Sequence, residues 1–150
     1  MKKIVINTQF GGFGLSHEAI MEYAKLKGIT LYAWPDEISE KEYGKGLPLD
    51  KYFLVHYTTV PREEYVKITD EERQKPAVVG RYAKSSKLYF SERDIPRDDA
   101  DLIKIVSTMK KKANGEFATL KIVRIPDNIE WEIEEYDGLE TVAEKHREWS

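Results

Sequence analysis

The stretch Ile4-Val5-Ile6-Asn7-Thr8-Gln9-Phe10-Gly11-Gly12-Phe13-Gly14-Leu15-Ser16 constrains this chain more than any other. Its β-branched run predicts a buried strand over Lys3 to Asn7. The glycines predict a tight turn. Ser16 is a favoured N-cap, and Leu15 and Ile20 have the spacing of a hydrophobic staple across it. A strand, a glycine turn and a helix start in this order bring unpaired backbone N–H groups and a partial positive charge to one place. Glycines let a ligand approach them closely. The expectation is an anion site, most naturally for phosphate, built from Gly11, Gly12, Phe13, Gly14 and Ser16. Phe10 or Phe13 would stack on a ring, and Asn7 or Gln9 would read polar edges. The competing expectation is a turn that needs positive φ and holds no ligand, with the phenylalanines packed into the core. The loop is not a P-loop, because no Gly-Lys-Ser/Thr follows, and His17 stands at the third glycine position of the dinucleotide fingerprint.

Downstream, Ala19, Ile20, Tyr23, Ala24 and Leu26 recur with helical period, and Gly28 ends that helix. Strands are predicted over Thr30–Trp34, Tyr52–Tyr57, Ala77–Ala83, Lys87–Phe90, Leu120–Ile125 and Ile129–Tyr136. Lys84-Ser85-Ser86 is read as the turn between the third and fourth of these, and a short helix is placed around Arg62–Val66. Residues 36–51 read as an irregular insertion. Asp98 or Asp99 caps a helix to about Ala113, with Leu102, Ile103, Val106 and Met109 on one face. After the turn signal Asp137-Gly138, the spacing of Leu139, Val142, Ala143 and His146 predicts a closing helix. The element order predicts one α/β or α+β domain over residues 1–150, a mixed sheet with about three helices packed on it.

At 150 residues the chain is long enough for a sizeable core. It has no cysteine, which excludes disulfides, thiolate metal sites and a cysteine nucleophile. No apolar run approaches the length of a membrane span, and the start of the chain lacks a signal-peptide pattern, so a cytoplasmic protein is expected. The net charge of -3 argues against nonspecific nucleic-acid binding. Charge is uneven: Asp127 to Ser150 holds nine acids and two bases.

Other candidates are weaker. Arg81, Lys84, Lys87, Arg93 and Arg97 are interleaved with Tyr82 and Tyr89, and Arg81, beside Gly80, is the best placed to meet a phosphate. His17, on the first helical turn, is the candidate acid/base if the protein is an enzyme. His56, flanked by Val55 and Tyr57, reads as structural, and His146 as a core or interface residue. The three histidines match no zinc spacing, so no metal is expected. Glu130, Glu132 and Glu134 on one strand face resemble a carboxylate pair, but strand alternation produces such pairs routinely. No cofactor is implied.

The opening motif resembles that of a widespread family of small phage and prophage proteins without an assigned activity. So do Arg97-Asp98-Asp99, Ala113-Asn114-Gly115, the segment Trp131 to Gly138, and Ala143 to Trp149. The likeness covers roughly half the chain, is weak across residues 30–76, and departs from the family at Gln9, where the family carries cysteine. It implies a host-cell cytoplasmic setting in which small proteins counter host defence. Together with the glycine loop it leads to one expectation: a binding protein that sequesters a phosphorylated, nucleotide-derived signalling ligand without chemistry. The alternatives are a nucleotide hydrolase or transferase using His17, and an inhibitor that binds a host protein through the acidic C-terminal segment. A homo-oligomer with His146 or Trp149 near its interface is compatible with each.

Overall fold

A computed structural model describes residues 1–74 and 83–145. Within them the chain runs β1 (Lys2–Asn7), α1 (His17–Lys27), β2 (Tyr32–Pro35), α2 (Glu37–Tyr43), β3 (Val55–Thr58), α3 (Arg62–Arg73), α4 (Ala83–Leu88), β4 (Tyr89–Phe90), α5 (Ala100–Met109), β5 (Leu120–Ile125), β6 (Trp131–Tyr136) and β7 (Leu139–Glu144). This is a mixed α/β protein, as the element order predicts. Among the described residues it has five α-helices and three small antiparallel sheets. No helix among them is long and apolar enough to cross a membrane. The chain divides into two compact units, residues 1–27 with 92–150, and residues 28–91.

In the first unit β1 pairs antiparallel with β5, from Lys2 opposite Ile125 to Asn7 opposite Leu120. Helix α5 packs on this pair and against α1, and β7 lies beside β1. The apolar run of β1 supplies Ile4 and Val5, both fully buried, and α5 supplies Leu102 and Ile105. Burying each such side chain contributes about 1.5–3 kcal/mol. The caps form where the sequence places them. The Ser16 hydroxyl accepts from the Ala19 amide at 3.1 Å, and Asp99 Oδ1 accepts from the Asp101 and Leu102 amides. Lys27 joins the two helices, with its ammonium 2.9 Å from both Asp99 and Asp101. A cation at the end of α1 and carboxylates at the start of α5 both suit the helix dipoles.

The closing helix expected from Leu139 to His146 is not formed. Residues 139–144 are instead strand β7, paired with β6 from Tyr136 opposite Leu139 to Trp131 opposite Glu144. The two-residue turn decides this. Asp137 and Gly138 both have positive φ, 49° and 87°, which matches the primed turns that send a strand straight back along itself. His146 lies outside the described residues.

In the second unit, β3 is the middle strand of the order β2-β3-β4. The stretch 36–51 is not irregular throughout: Asp36 caps α2 through the Ile38 amide, and Leu49–Lys51 forms a 3-10 turn after Pro48. Helix α3 extends past Val66 to Arg73. Lys84-Ser85-Ser86 is helical rather than a turn, and the strand expected at Lys87 shrinks to Tyr89–Phe90. A buried carboxylate accounts for the change. Glu72 accepts from the amides of Lys84 and Ser85 and from the Ser85 hydroxyl, satisfying the first turn of α4. The expected strand at Ala77 lies outside the described residues up to Tyr82.

Candidate binding cleft

The glycine loop does connect a strand to a helix start, but neighbouring backbone covers much of it. The Gly11 amide donates to the Asp137 carbonyl at 3.2 Å. A Cβ added to Gly138 would lie 2.2 Å from the Gly12 nitrogen, and one added to Gly115 would lie 2.7 Å from the Gly14 carbonyl carbon. The hairpin turn and the segment after α5 thus press directly on the loop. Close packing on the loop's main chain accounts for Gly138 and Gly115, while Gly11 and Gly12 serve positive φ, 122° and 107°. Ser16 is committed as well, since its hydroxyl donates to the Lys112 carbonyl at 2.6 Å while capping α1.

The side chains of this region are also engaged. Asn7 is fully buried. Its amide nitrogen donates to the carbonyls of Gln9 and Gly138, both at 2.7 Å, and its oxygen accepts from the amides of Gln9 and Thr119. These bonds use the whole hydrogen-bonding capacity of the side chain. Gln9 accepts from the Thr119 hydroxyl at 2.6 Å. Phe13 is buried beneath the Arg97 guanidinium, 3.6 Å from the ring centre. Of the two phenylalanines only Phe10 is exposed. His17 is half-buried on the first turn of α1, and Arg81 lies outside the described residues, as does Trp149.

Arg97 does not supply free positive charge to the loop. It forms a two-pronged pair with Glu140, at 2.6 and 2.9 Å, and Glu140 also accepts from the Asn7 backbone N–H at 2.8 Å. Glu140 is only 5% exposed. The adjoining hollow, of about 370 Å³, is lined by Arg93 and Arg97 but also by Glu135, Asp137 and Glu140. Three acids against two bases make it a poor anion site.

The larger cavity, about 950 Å³, lies within residues 28–91 and suits a small-molecule ligand. Strand pairing builds its wall. Trp34 and His56 are cross-strand partners on β2 and β3, so their rings share a face, with centres 4.6 Å apart. Tyr65 on α3 lies 5.7 Å from Trp34 and 6.2 Å from Tyr89, which in turn lies 5.6 Å from His56. The Trp34 indole N–H donates to the buried Thr58 hydroxyl at 3.1 Å, fixing the largest ring. Arg62 lies over Trp34, 5.4 Å from its ring centre, and forks onto Glu40 at 3.0 and 3.2 Å. The rim carries Lys41 paired with Glu37, and Arg73 paired with Asp70.

At the edge of this wall, three polar groups form a chain. Asp36 Oδ1 lies 2.7 Å from His56 Nε2, and His56 Nδ1 lies 3.0 Å from the Tyr89 hydroxyl. The second Asp36 oxygen caps α2 at 3.0 Å. The hydrogen bond from His56 is the main reason that the Asp36 carboxyl titrates below the usual aspartate value. Among the described residues, no group of three or more His, Asp or Glu side chains is placed to hold a metal ion. Trp34, Asp36 and Tyr65 carry no site signal in the sequence, Tyr89 is named there only among the aromatics of the basic stretch, and His56 reads as structural. The available signal was a pair of aromatic-containing strands flanking a charged stretch, but it becomes a site only once β2 and β3 are in register. No family model matches the sequence, and neither a curated protein nor a solved structure matches it.

Proposed function

We propose that this protein binds a small, planar, phosphorylated ligand of nucleotide type, and that the cleft within residues 28–91 is the site. The carrying observation is the wall formed by Trp34, His56, Tyr65 and Tyr89 in a cavity of nucleotide size. Base stacking on aromatic rings contributes about 1–3 kcal/mol per base and tolerates different bases. Phosphate would meet Arg73 and Lys41. Glu37, the present partner of Lys41, is more than half exposed, and surface pairs of this kind contribute about 0–1 kcal/mol, so exchanging it for a phosphate is cheap. The glycine loop then acts as a structural joint rather than as the phosphate cradle. The resemblance to phage proteins supplies the setting, a host signalling nucleotide withdrawn from circulation.

The test is a fluorescence titration in a W131F/W149F background, which leaves Trp34 as the reporter. The panel contains cyclic di- and trinucleotides, cyclic ADP-ribose isomers, NAD and ADP-ribose. Saturable quenching by one of them, weakened roughly 5- to 150-fold by Tyr65→Ala, is the expected result. No quenching at millimolar concentration across the panel overturns the assignment.

A further inference from the structure

We propose that Tyr89 is a nucleophile activated by the chain Asp36–His56–Tyr89, and that it attacks a phosphoryl centre held in the cleft. The activation rests on the three residues alone. The phosphoryl class rests on the ligand proposed above.

With His56 neutral, the state in which it serves as a base, hydrogen-bond chemistry sets the direction of the chain. An ionised carboxylate only accepts, so the His56 nitrogen that faces Asp36 at 2.7 Å carries the proton. The other nitrogen of a neutral imidazole is then an acceptor, and the Tyr89 hydroxyl 3.0 Å away donates to it. A nucleophile bonded to a base, with the base oriented by a third group, is the general arrangement for activating a weak nucleophile. Asp36 is the positioning residue. It is immobilised from its other oxygen by the Ile38 amide, so it cannot swing away from the imidazole. His56 packs against Trp34, with ring centres 4.6 Å apart and planes tilted by 50°, which restrains its ring. Tyr89 is 37% exposed and lines the cleft.

In the step itself, the Tyr89 oxygen bonds to phosphorus as the bond from phosphorus to the leaving oxygen breaks. The leaving oxygen takes that electron pair. The phenolic proton passes to His56 Nδ1, and Asp36 stabilises the imidazolium that results. His56 then returns the proton to the leaving oxygen. No oxidant, reductant or other co-reactant is needed.

Intrinsic reactivity is read with an arylsulfonyl fluoride, which forms an S–O bond to a phenol and releases fluoride. Labelling rates are measured by peptide mass spectrometry at Tyr89 and at three more exposed tyrosines, Tyr136 (78%), Tyr43 (49%) and Tyr32 (41%). If exposure alone governs reactivity, Tyr89 is the slowest of the four. The relay predicts that it is the fastest, by about a hundredfold, the lower end of the range for general-base assistance. His56→Gln and Asp36→Asn bring Tyr89 down to or below the Tyr136 rate and leave Tyr136 unchanged. An order that follows exposure in the unaltered protein overturns the relay, whatever the variants do. The phosphoryl class is read with the p-nitrophenyl ester of a nucleoside monophosphate. A nucleotidyl adduct on Tyr89 and p-nitrophenolate release, both absent in Tyr89→Phe, support it. Fast sulfonyl labelling without either overturns the phosphoryl class. The Trp34 titration reports separately on whether the cleft binds nucleotides.

Discussion

Glu140→Gln isolates the charge of a deeply buried ion pair while keeping the shape of its side chain. In the native protein the Glu140 carboxylate accepts two bonds from Arg97 and one from the Asn7 backbone N–H. Glutamine retains one acceptor oxygen and turns an N–H donor towards a guanidinium that is itself only donors. Arg97, 15% exposed, keeps its charge in a site that water reaches poorly. Breaking a buried pair by removing one partner costs about 3–5 kcal/mol, chiefly through the charge left behind. In a chain of this length each kcal/mol lowers the melting temperature by roughly 2–4 °C, so the expected loss is about 6–20 °C. Urea unfolding at neutral pH, followed by circular dichroism, should show a lower midpoint at unchanged slope. Removing the stranded cation as well, Arg97→Met with Glu140→Gln, should recover much of the loss, because no unpaired charge remains and the glutamine oxygen still accepts from the Asn7 backbone N–H. A cost below about 1 kcal/mol for Glu140→Gln would match an exposed pair and refute the reasoning.

Gly138→Ala should cost about 2–5 kcal/mol, combining left-handed strain with a clash against Gly12, whereas Gly46→Ala, also at positive φ but with nothing within 4 Å, should lose only the strain, about 1–2 kcal/mol. Equal losses in thermal melts would show that the hairpin turn does not press on the loop. Asp36 makes the folded state acid-sensitive. Its folded titration lies below the unfolded value, so its contribution is complete above the ordinary aspartate value of 3.8 and is lost as pH falls through the folded one. Urea midpoints measured downward from pH 5 should fall less steeply for Asp36→Asn than for the unaltered chain, and parallel curves would remove Asp36 from the account.

Local signals in the sequence carried the first unit well. The β-branched run of β1, the Ser16 and Asp99 caps and the apolar face of α5 all act within a few residues of where they are read. On that face Ile105, rather than Ile103, is the buried position beside Leu102 and Val106. The C-terminal segment failed because Leu139, Val142 and Ala143 fit a helix spacing as well as a strand. The positive φ of both turn residues settles the matter, and no period reveals that. The glycine loop lies between strand and helix as read, and what the sequence does not reveal is the main chain that covers it: Gly138 packs on Gly12 and Gly115 on Gly14 across more than a hundred residues of chain. From sequence alone, a glycine that admits a phosphate and one that admits a distant main chain look the same. The cleft was missed because its wall assembles from four separated segments, joined only by strand register and by the packing of α3.

The Asn7 amide waits for a partner 133 residues further along, and β1 waits for β5 before its ladder exists. At roughly 5–20 residues per second, synthesis leaves the buried strand without either for on the order of ten seconds. The intervening segment, residues 28–91, is contiguous and has all of its own strands in hand much sooner. During translation the aromatic cleft is therefore available to form first, and the opening strand stays an exposed apolar edge until the last hairpin arrives. That interval, rather than the finished fold, is when this chain is most exposed to misassembly.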